Sequence, residues 1–435
     1  MCFILSRAIL GLRREKYPLE LWIDSGEREE VIDPDLPIVD AHHHLWDART
    51  QDKGWPVSPL VIKILYTLHP ALLTRLMVKT QHPSIVAAFT PMFPPAVPYM
   101  ANEILRDILN LEQGDQPPPS VSTEGASLLS SGHNIVATVY VESGWSDPSA
   151  SSAVMRPVPE VGMAQEVADK AGAVRLCTGI VGKIDLSLGG EAVLEALQVL
   201  VDRYPNFRGV RDELACRDGL QPVGAIADKA YGEGFRSGLS ALSEFPGGLT
   251  FDTYIYQDNI PALRDLALAF PETIVICDHV GGPASLGEPA IDLETAFMSW
   301  APAMKDLAES CPNVVVKLSG LGMATVGLEF DKMQMPPSSV ELAEKWGPYI
   351  RHCVECFGVD RCMFASNFPV DKVSCSYTGL FNAFKLIVKD FSYDDKKKLF
   401  HDNAIRIYRL DVYWLASFMA DWTTSRPNNY CLTKD

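Results

Sequence analysis

The sequence predicts an α/β protein built on a (β/α)8 TIM barrel with a long insertion after strand 1, and three observations lead there. Strand-like and helix-like segments alternate until eight strands have been counted, the number in that barrel. No G-x-G-x-x-G or P-loop follows any predicted strand, which disfavours the competing doubly wound open sheet. Polar side chains stand at the end of every predicted strand, where barrel enzymes place their active sites.

The first predicted strand lies in the segment 37–46, where apolar residues run directly into a carboxylate and three imidazoles. Residues two apart on a strand point the same way, so Asp40, His42 and His44 are expected on one face. Two convergent imidazoles suit a divalent metal or an anionic substrate. A surface histidine run is the alternative, but such runs seldom follow a core strand so closely.

The domain organisation is predicted from composition along the chain. A segment after the first strand is partly apolar and helical and otherwise rich in proline, glycine and serine, so we interpret it as an insertion that caps the site. The expected units are an N-terminal extension (1–34), one barrel (35–412, with the insertion at 47–131) and a C-terminal tail (413–435).

The other strands are predicted from short apolar, β-branched runs bounded by turn residues, and the helices from apolar residues at a spacing of three to four. Strands two to eight are expected at 134–142, 174–184, 207–211, 249–256, 273–279, 313–319 and 362–366. Helices are expected at 158–171, 191–204, 235–245, 261–270, 293–309, 340–357, 378–389 and 394–409.

The ends of these strands supply the candidate site residues. Two arginines on the short fourth strand, Arg208 and Arg211, suit bidentate capture of a substrate carboxylate, although pairing with a neighbouring carboxylate is the more frequent role. Glu142, Tyr254, Lys317 and Asp371 are further candidates for substrate binding.

Composition excludes several function classes. The net charge of −17 argues against nucleic acid and anionic membranes as partners, and leaves a small-molecule substrate. The apolar start, 1–12, is too short to span a bilayer and makes a poor signal peptide, and the ten cysteines show no disulfide framework. A cytoplasmic protein is therefore expected, and a homo-oligomer is compatible with these observations.

Six motifs occur in an order and spacing that resemble the amidohydrolase-related branch of the amidohydrolase superfamily, which includes sugar and dicarboxylate lactonases. They are the histidine segment at 37–46, the strand ends at 139–142 and 207–211, and the segments 278–283, 316–322 and 365–372. The resemblance implies that His42 and His44 ligate a metal, with zinc the expected ion, and that His279 binds substrate or moves a proton. It also implies a histidine on strand five, where this chain has none, and an aspartate on strand eight, where Asn367 stands.

These departures leave the mechanism open at the level of sequence. A neutral amide cannot take a proton from water, so the general base is expected among His279, Asp252, Asp278 and Asp371, and a metal-free site is as admissible as a zinc site. The function expected is hydrolysis of a small carboxylated or sugar-derived lactone or ester. The alternatives are a metal-dependent non-oxidative decarboxylase and a barrel that binds ligands without catalysis.

Overall fold

The computed structural model describes residues 18–47, 50–51, 98–111, 131–170, 172, 174–220 and 228–412 of the chain. Its strands are β1 (Ile38–His43), β2 (Ile135–Val141), β3 (Arg175–Lys183), β4 (Phe207–Arg211), β5 (Thr250–Thr253), β6 (Val275–Cys277), β7 (Val314–Leu318) and β8 (Cys362–Phe364). Its helices are α1 (Pro18–Asp24), α2 (Ala101–Ile108), α3 (Val158–Asp169), α4 (Gly190–Arg203), α5 (Glu233–Ser240), α6 (Ile260–Ala269), α7 (Leu293–Ser310), α8 (Ser339–Phe357), α9 (Tyr377–Ile387), α10 (Tyr393–Lys397) and α11 (Asn403–Tyr408). Most of the predicted insertion and the whole predicted tail (413–435) lie outside the described residues.

The eight strands form one parallel sheet in which each strand pairs with the next in sequence order. Backbone hydrogen bonds then join β1 to the segment that follows β8. The N–H of His44 donates to the carbonyl of Phe368 at 2.8 Å, and the N–H of Asn367 donates to the carbonyl of His42 at 2.8 Å. The prediction of a (β/α)8 barrel is thereby confirmed.

The barrel interior below its carboxyl-terminal mouth is packed with small and branched side chains. Different strands contribute them, as expected for the interior layers of this barrel: Val39, Ala41, Val139, Val181, Ile276 and Val315. Tyr408 of α11 belongs to the same buried cluster, so a helix from the end of the described chain supplies part of the floor. A second, larger apolar cluster lies between the strands and the surrounding helices.

Strand β1 contains a bulge that changes which residues face inward. Asp40 pairs with Thr138, whereas His43 pairs with Tyr140, so three steps along β1 match two along β2. A bulge of this kind breaks the simple alternation of faces that a sequence argument assumes.

Because of the bulge, the prediction that Asp40 shares a face with His42 and His44 is wrong. Asp40 points toward α9 and accepts hydrogen bonds from Ser366 Oγ at 2.6 Å and Tyr377 OH at 2.9 Å. The two imidazoles point into the barrel, where their Nε2 atoms lie 3.1 Å apart. These hydrogen bonds of Asp40 link β1 to the segment after β8 and to α9.

The predicted helix at 394–409 is interrupted. The helix α10 ends at Lys397, a π-helical turn spans Lys398–Asp402, and α11 follows. A π turn inserts extra residues and shifts the phase of the side chains that come after it. That shift accompanies the entry of Tyr408 into the barrel interior.

The described part of the predicted insertion is joined to the barrel. Helix α2 buries Ile104 and Ile108 against the large apolar cluster, and Lys372 after β8 contacts Asp107 at 2.7 Å. Within the described ranges, no helix is both long enough and apolar enough to cross a membrane.

Candidate active site

Five ionisable side chains meet inside the mouth of the barrel, and we call them the mouth cluster. They come from the carboxyl ends of four strands, and each is at most 3% exposed: His42, Asp252, Asp278, His279 and Lys317. Sequence reasoning named all five as candidates, and the structure brings them together.

Lys317 lies at the centre of the mouth cluster. Its Nζ is 2.7 Å from Asp252 Oδ2, 3.0 Å from Asp278 Oδ1 and 3.1 Å from His42 Nδ1. An ammonium group has three N–H donors, and three acceptors surround this one. The contact with Asp278 is a close ion pair without hydrogen-bond geometry, since neither oxygen of that carboxylate makes a hydrogen bond among the described residues.

Both oxygens of Asp252 accept hydrogen bonds, which hold its carboxylate in place. Besides Lys317, it accepts hydrogen bonds from Tyr408 OH at 2.6 Å and Thr250 Oγ1 at 3.0 Å. Burial raises the pKa of Asp252, and the charge of Lys317 opposes that shift only in part. Sequence reasoning missed Tyr408, because it lies far along the chain on a helix and no local pattern points it inward.

His44 extends the mouth cluster on the other side of His42. Its Nδ1 lies 3.0 Å from the carbonyl oxygen of Val141 and 2.9 Å from that of Glu142. Carbonyl oxygens only accept, so Nδ1 carries the proton and Nε2 keeps a free lone pair. Burial lowers the pKa of His44 to about 3, so the ring is neutral at neutral pH.

Asp278 and His279 converge although they are adjacent in sequence. The strand predicted at 273–279 would place these two neighbours on opposite faces, but β6 ends at Cys277, so that alternation does not apply to them. Beyond β6, His279 and Val280 adopt φ values of 55° and 49°, in the left-handed region that side chains rarely occupy. Backbone strain of this kind persists where the surrounding structure enforces it, and it is frequent at functional sites.

The His279 ring is held by its neighbours. Its centroid is 4.6 Å from that of His42, and its Nδ1 is 2.9 Å from Ser319 Oγ. Gly320 leaves room for this ring, since a Cβ there would lie 2.4 Å from the Cβ of His279. Burial lowers the pKa of His279 to about 3, so this imidazole is also neutral.

Asp278 is the carboxylate of the mouth cluster with open acceptor capacity. Burial raises its pKa, but the charge of Lys317 opposes burial and holds the pKa well below its usual range. The carboxylate is thus ionised, and both oxygens lack hydrogen bonds among the described residues. A buried carboxylate in this state calls for a bound water, substrate or ion.

The two predicted arginines separate. Arg211 donates from Nε to Glu142 Oε1 at 2.8 Å, and its NH1 lies 3.7 Å from Asp278. Arg208 bonds the carbonyl of Pro205 at 2.6 Å and that of Arg409 at 3.3 Å, near the amino-terminal start of β4. Because three residues on a strand span about 10 Å, the structure does not bring Arg208 to the site.

Glu142 is consequently a partner for cations. Burial raises its pKa, but Lys183, 4.0 Å away, and Arg211 hold it at about 2. The side chain of Lys183 is 35% exposed, so it reaches the rim of the mouth. Arginine capture of a substrate carboxylate is therefore not what this geometry favours, since the guanidinium of Arg211 is already paired.

Asn367 and Asp371 form a buried pair beyond β8. Asn367 Nδ2 donates to Asp371 Oδ1 at 2.8 Å, and the N–H of Gly322 donates to Asp371 Oδ2 at 3.2 Å. The Oδ1 atom of Asn367 is buried and makes no hydrogen bond among the described residues. Burial raises the pKa of Asp371 to about 7.

Aromatic side chains border the cluster. The ring of Tyr254 lies 5.4 Å from that of His279 and 5.3 Å from that of Tyr256. Trp46 lies 6.5 Å from the His44 ring. The predicted position of Tyr254 beside the catalytic candidates agrees with this arrangement, and its role in substrate binding stays a prediction.

The donors present fit a divalent cation on one condition. Ligand nitrogens around tetrahedral zinc, at about 2.05 Å from the ion, lie roughly 3.3 Å apart. The Nε2 atoms of His42 and His44 lie 3.1 Å apart, and His42, Asp278 and His279 each offer an atom within 4.8 Å of the others. The condition is that His42 carries its proton on Nδ1, the nitrogen that Lys317 contacts.

Comparison with known proteins finds a matching family model and similar chains. Residues 162–410 match the family model described as Amidohydrolase. The chain is 30% identical over 379 residues to the uncharacterized protein y4mH of Sinorhizobium fredii, a match that covers 86% of this chain and 99% of that protein. It is 25% identical over 268 residues to the L-fucono-1,5-lactonase of Burkholderia ambifaria, covering 59% of this chain and 79% of the lactonase.

Solved structures agree on the fold. An amidohydrolase from Burkholderia multivorans with bound HEPES superposes with a TM-score of 0.57 at 19% identity, covering 86% of this chain and 99% of that one. A second crystal form of an amidohydrolase from the same organism, with bound zinc, gives a TM-score of 0.56 at 18% identity, with the same coverage of both chains.

Proposed function

Since the chain belongs to the amidohydrolase family, we propose that it is a hydrolase that opens a small, uncharged, polyhydroxylated lactone with water. The observation that carries the proposal is the carboxylate of Asp278, which is ionised, buried and without a hydrogen bond among the described residues. It lies beside the imidazoles of His42 and His279, whose pKa values burial lowers, so both rings are neutral. An ionised carboxylate with open acceptor capacity can accept a hydrogen bond from a water molecule and orient it, and we propose that it takes a proton from that water as the water attacks.

In the proposed reaction, Asp278 accepts a hydrogen bond from the attacking water. The water oxygen bonds to the lactone carbonyl carbon, and its proton passes to Asp278. The ring C–O bond then breaks, and the leaving oxygen takes that proton, so the product is a hydroxy acid and Asp278 is regenerated. Lys317 fixes the position of Asp278 throughout through the 3.0 Å ion pair.

His279 is proposed to polarise the carbonyl. If the hydroxyl of Ser319 donates to Nδ1, the neutral ring keeps its proton on Nε2 and can donate to the developing oxyanion. A divalent cation, when bound by His42 and His44, would supply Lewis-acid polarisation of the same carbonyl.

The choice of an uncharged substrate rests on Arg211. Within the part of the chain that the structure describes, the arginine that reaches the mouth is already paired with Glu142. Lys183 at the rim instead offers donors for sugar hydroxyls. The likeness to the L-fucono-1,5-lactonase of Burkholderia ambifaria supports the same substrate class.

The test is a substrate panel assayed with a pH indicator that reports the acid released. We expect neutral sugar lactones to be hydrolysed with a kcat/KM at least tenfold above that of lactones carrying carboxylates. A reversed preference would refute the substrate class. Release of CO2 from aromatic acids without any lactone turnover would favour a decarboxylase. Ligand-induced shifts in Tm without any turnover would favour a binding protein.

A further inference from the structure

The Nδ1 atom of His42 lies between a donor and an acceptor that compete for it. Lys317 Nζ, the donor, is at 3.1 Å, and Asp278 Oδ1, the acceptor, is at 3.5 Å. A neutral imidazole carries one proton, so Nδ1 either accepts from the lysine or donates to the aspartate. The shorter distance favours the lysine.

The partner of Nδ1 determines which nitrogen of His42 carries the proton, and this links Lys317, His42 and His44. If Lys317 donates to Nδ1 of His42, then His42 carries its proton on Nε2 and donates it to the Nε2 of His44, 3.1 Å away. His44 in turn donates from Nδ1 to the carbonyls at the end of β2. Each of these N–H donors therefore has an acceptor.

A metal requires the other arrangement. To ligate through Nε2, His42 must hold its proton on Nδ1, and a metal-bound histidine normally donates that proton to a carboxylate or carbonyl. His44 already has this arrangement, whereas at His42 the ammonium of Lys317 stands on that nitrogen.

We propose that Lys317 acts as an internal cation that competes with a divalent metal for His42 and Asp278, and so keeps the mouth cluster in a metal-free form. The ammonium lies within 3.1 Å of two carboxylates and an imidazole, which are groups that would otherwise attract a metal. The two departures from the family pattern agree with this: strand five offers Asp252 to the lysine rather than a histidine to a metal, and strand eight offers the neutral Asn367.

This inference rests on the proposed function only in placing the reaction at the mouth cluster, and its tests do not use turnover. The first test is titration of metal-stripped, full-length protein with cobalt(II), followed by its visible absorption and by calorimetry. We expect Lys317→Met to bind one cobalt ion at least tenfold more tightly than the wild type. The gain should vanish in the double variant Lys317→Met/His42→Asn.

Lys385→Met is the matched control, because Lys385 also contacts a histidine Nδ1, in a different part of the protein. It should leave cobalt affinity unchanged. Unchanged affinity in Lys317→Met, or a gain that survives loss of His42, would overturn the proposal.

A second measurement needs no variant and so does not depend on the folding of Lys317→Met. Nitrogen-15 NMR of the imidazoles in metal-stripped wild-type protein distinguishes the two tautomers. We expect the proton of His42 on Nε2 and that of His44 on Nδ1. A proton on Nδ1 of His42 would show that Lys317 does not hold this nitrogen, and would refute the mechanism of competition.

Discussion

Two buried lysine–histidine contacts in this protein share a geometry and differ in what surrounds them. Lys317 Nζ lies 3.1 Å from His42 Nδ1 in the mouth cluster, and Lys385 Nζ lies 3.0 Å from His133 Nδ1 beside α9. Lys385 otherwise donates to the carbonyls of Ile32 and Asp33, at 2.7 and 2.9 Å. Lys317 otherwise contacts two carboxylates.

The two histidines also differ in the partner of their other ring nitrogen, Nε2. Nε2 of His133 lies 3.1 Å from the carbonyl of Thr378, so that contact ends in the backbone. Nε2 of His42 meets a second imidazole, His44. Backbone carbonyls cannot change their protonation, whereas carboxylates and imidazoles can. The partners of a buried lysine, rather than its burial, therefore indicate a site.

The largest effect is expected from substitution of Asp278, one of the two carboxylates that contact Lys317. Asp278→Asn keeps the shape of the side chain but removes the proposed base, so kcat for lactone hydrolysis should fall by about 10²–10⁴-fold. The control is Asp212→Asn, which changes a buried aspartate that pairs with Lys229 at 2.6 Å outside the mouth cluster. A loss smaller than tenfold for Asp278→Asn would contradict its role as base.

Lys317→Met should lower the free energy of unfolding of the protein. It leaves Asp252 and Asp278 buried without their cation, and removing one partner of a buried ion pair costs about 3–5 kcal/mol. Urea unfolding of this variant should show a free energy of unfolding lower by that amount. Equal stability of variant and wild type would mean that the carboxylates do not depend on the lysine.

Lys385→Met should act on stability alone. Two carbonyls and a histidine nitrogen lose their donor, which we expect to lower the free energy of unfolding by about 2–3 kcal/mol. Because none of these groups belongs to the mouth cluster, kcat/KM at a temperature well below the Tm should stay within about twofold of wild type. A tenfold loss of kcat/KM in folded protein would show that the two regions are coupled.

The smallest effect concerns a third buried ionisable side chain, Asp371. Its hydrogen-bond partners are the neutral Asn367 amide and the N–H of Gly322. Its pKa is raised to about 7, so the folded state binds this proton more tightly than the unfolded chain does. The folded state is therefore favoured at low pH, and this contribution is lost as the pH rises toward 7.

Asp371→Asn removes this dependence. Relative to wild type, the free energy of unfolding of the variant should rise by about 2 kcal/mol between pH 5 and pH 7. Urea unfolding of both proteins across this range measures the difference. A constant difference would mean that Asp371 titrates normally.

Sequence by itself determined the architecture and most of the candidate site. The alternation of strand and helix patterns is local, with periods of about two and 3.6 residues, so eight units could be counted and their ends located. Since parallel strands bring their carboxyl ends to one mouth, His42, His44, Asp278, His279 and Lys317 could be placed near one another.

Only the tertiary structure decided how those residues are used. The bulge that turns Asp40 away from His42, and the left-handed backbone that lets Asp278 and His279 converge, depend on contacts between distant segments and leave no local pattern. The pairing of Arg211 with Glu142 depends in the same way on which strands become neighbours when the barrel closes. Tyr408 reaches Asp252 from a helix 156 residues further along the chain, a separation that no periodicity can bridge.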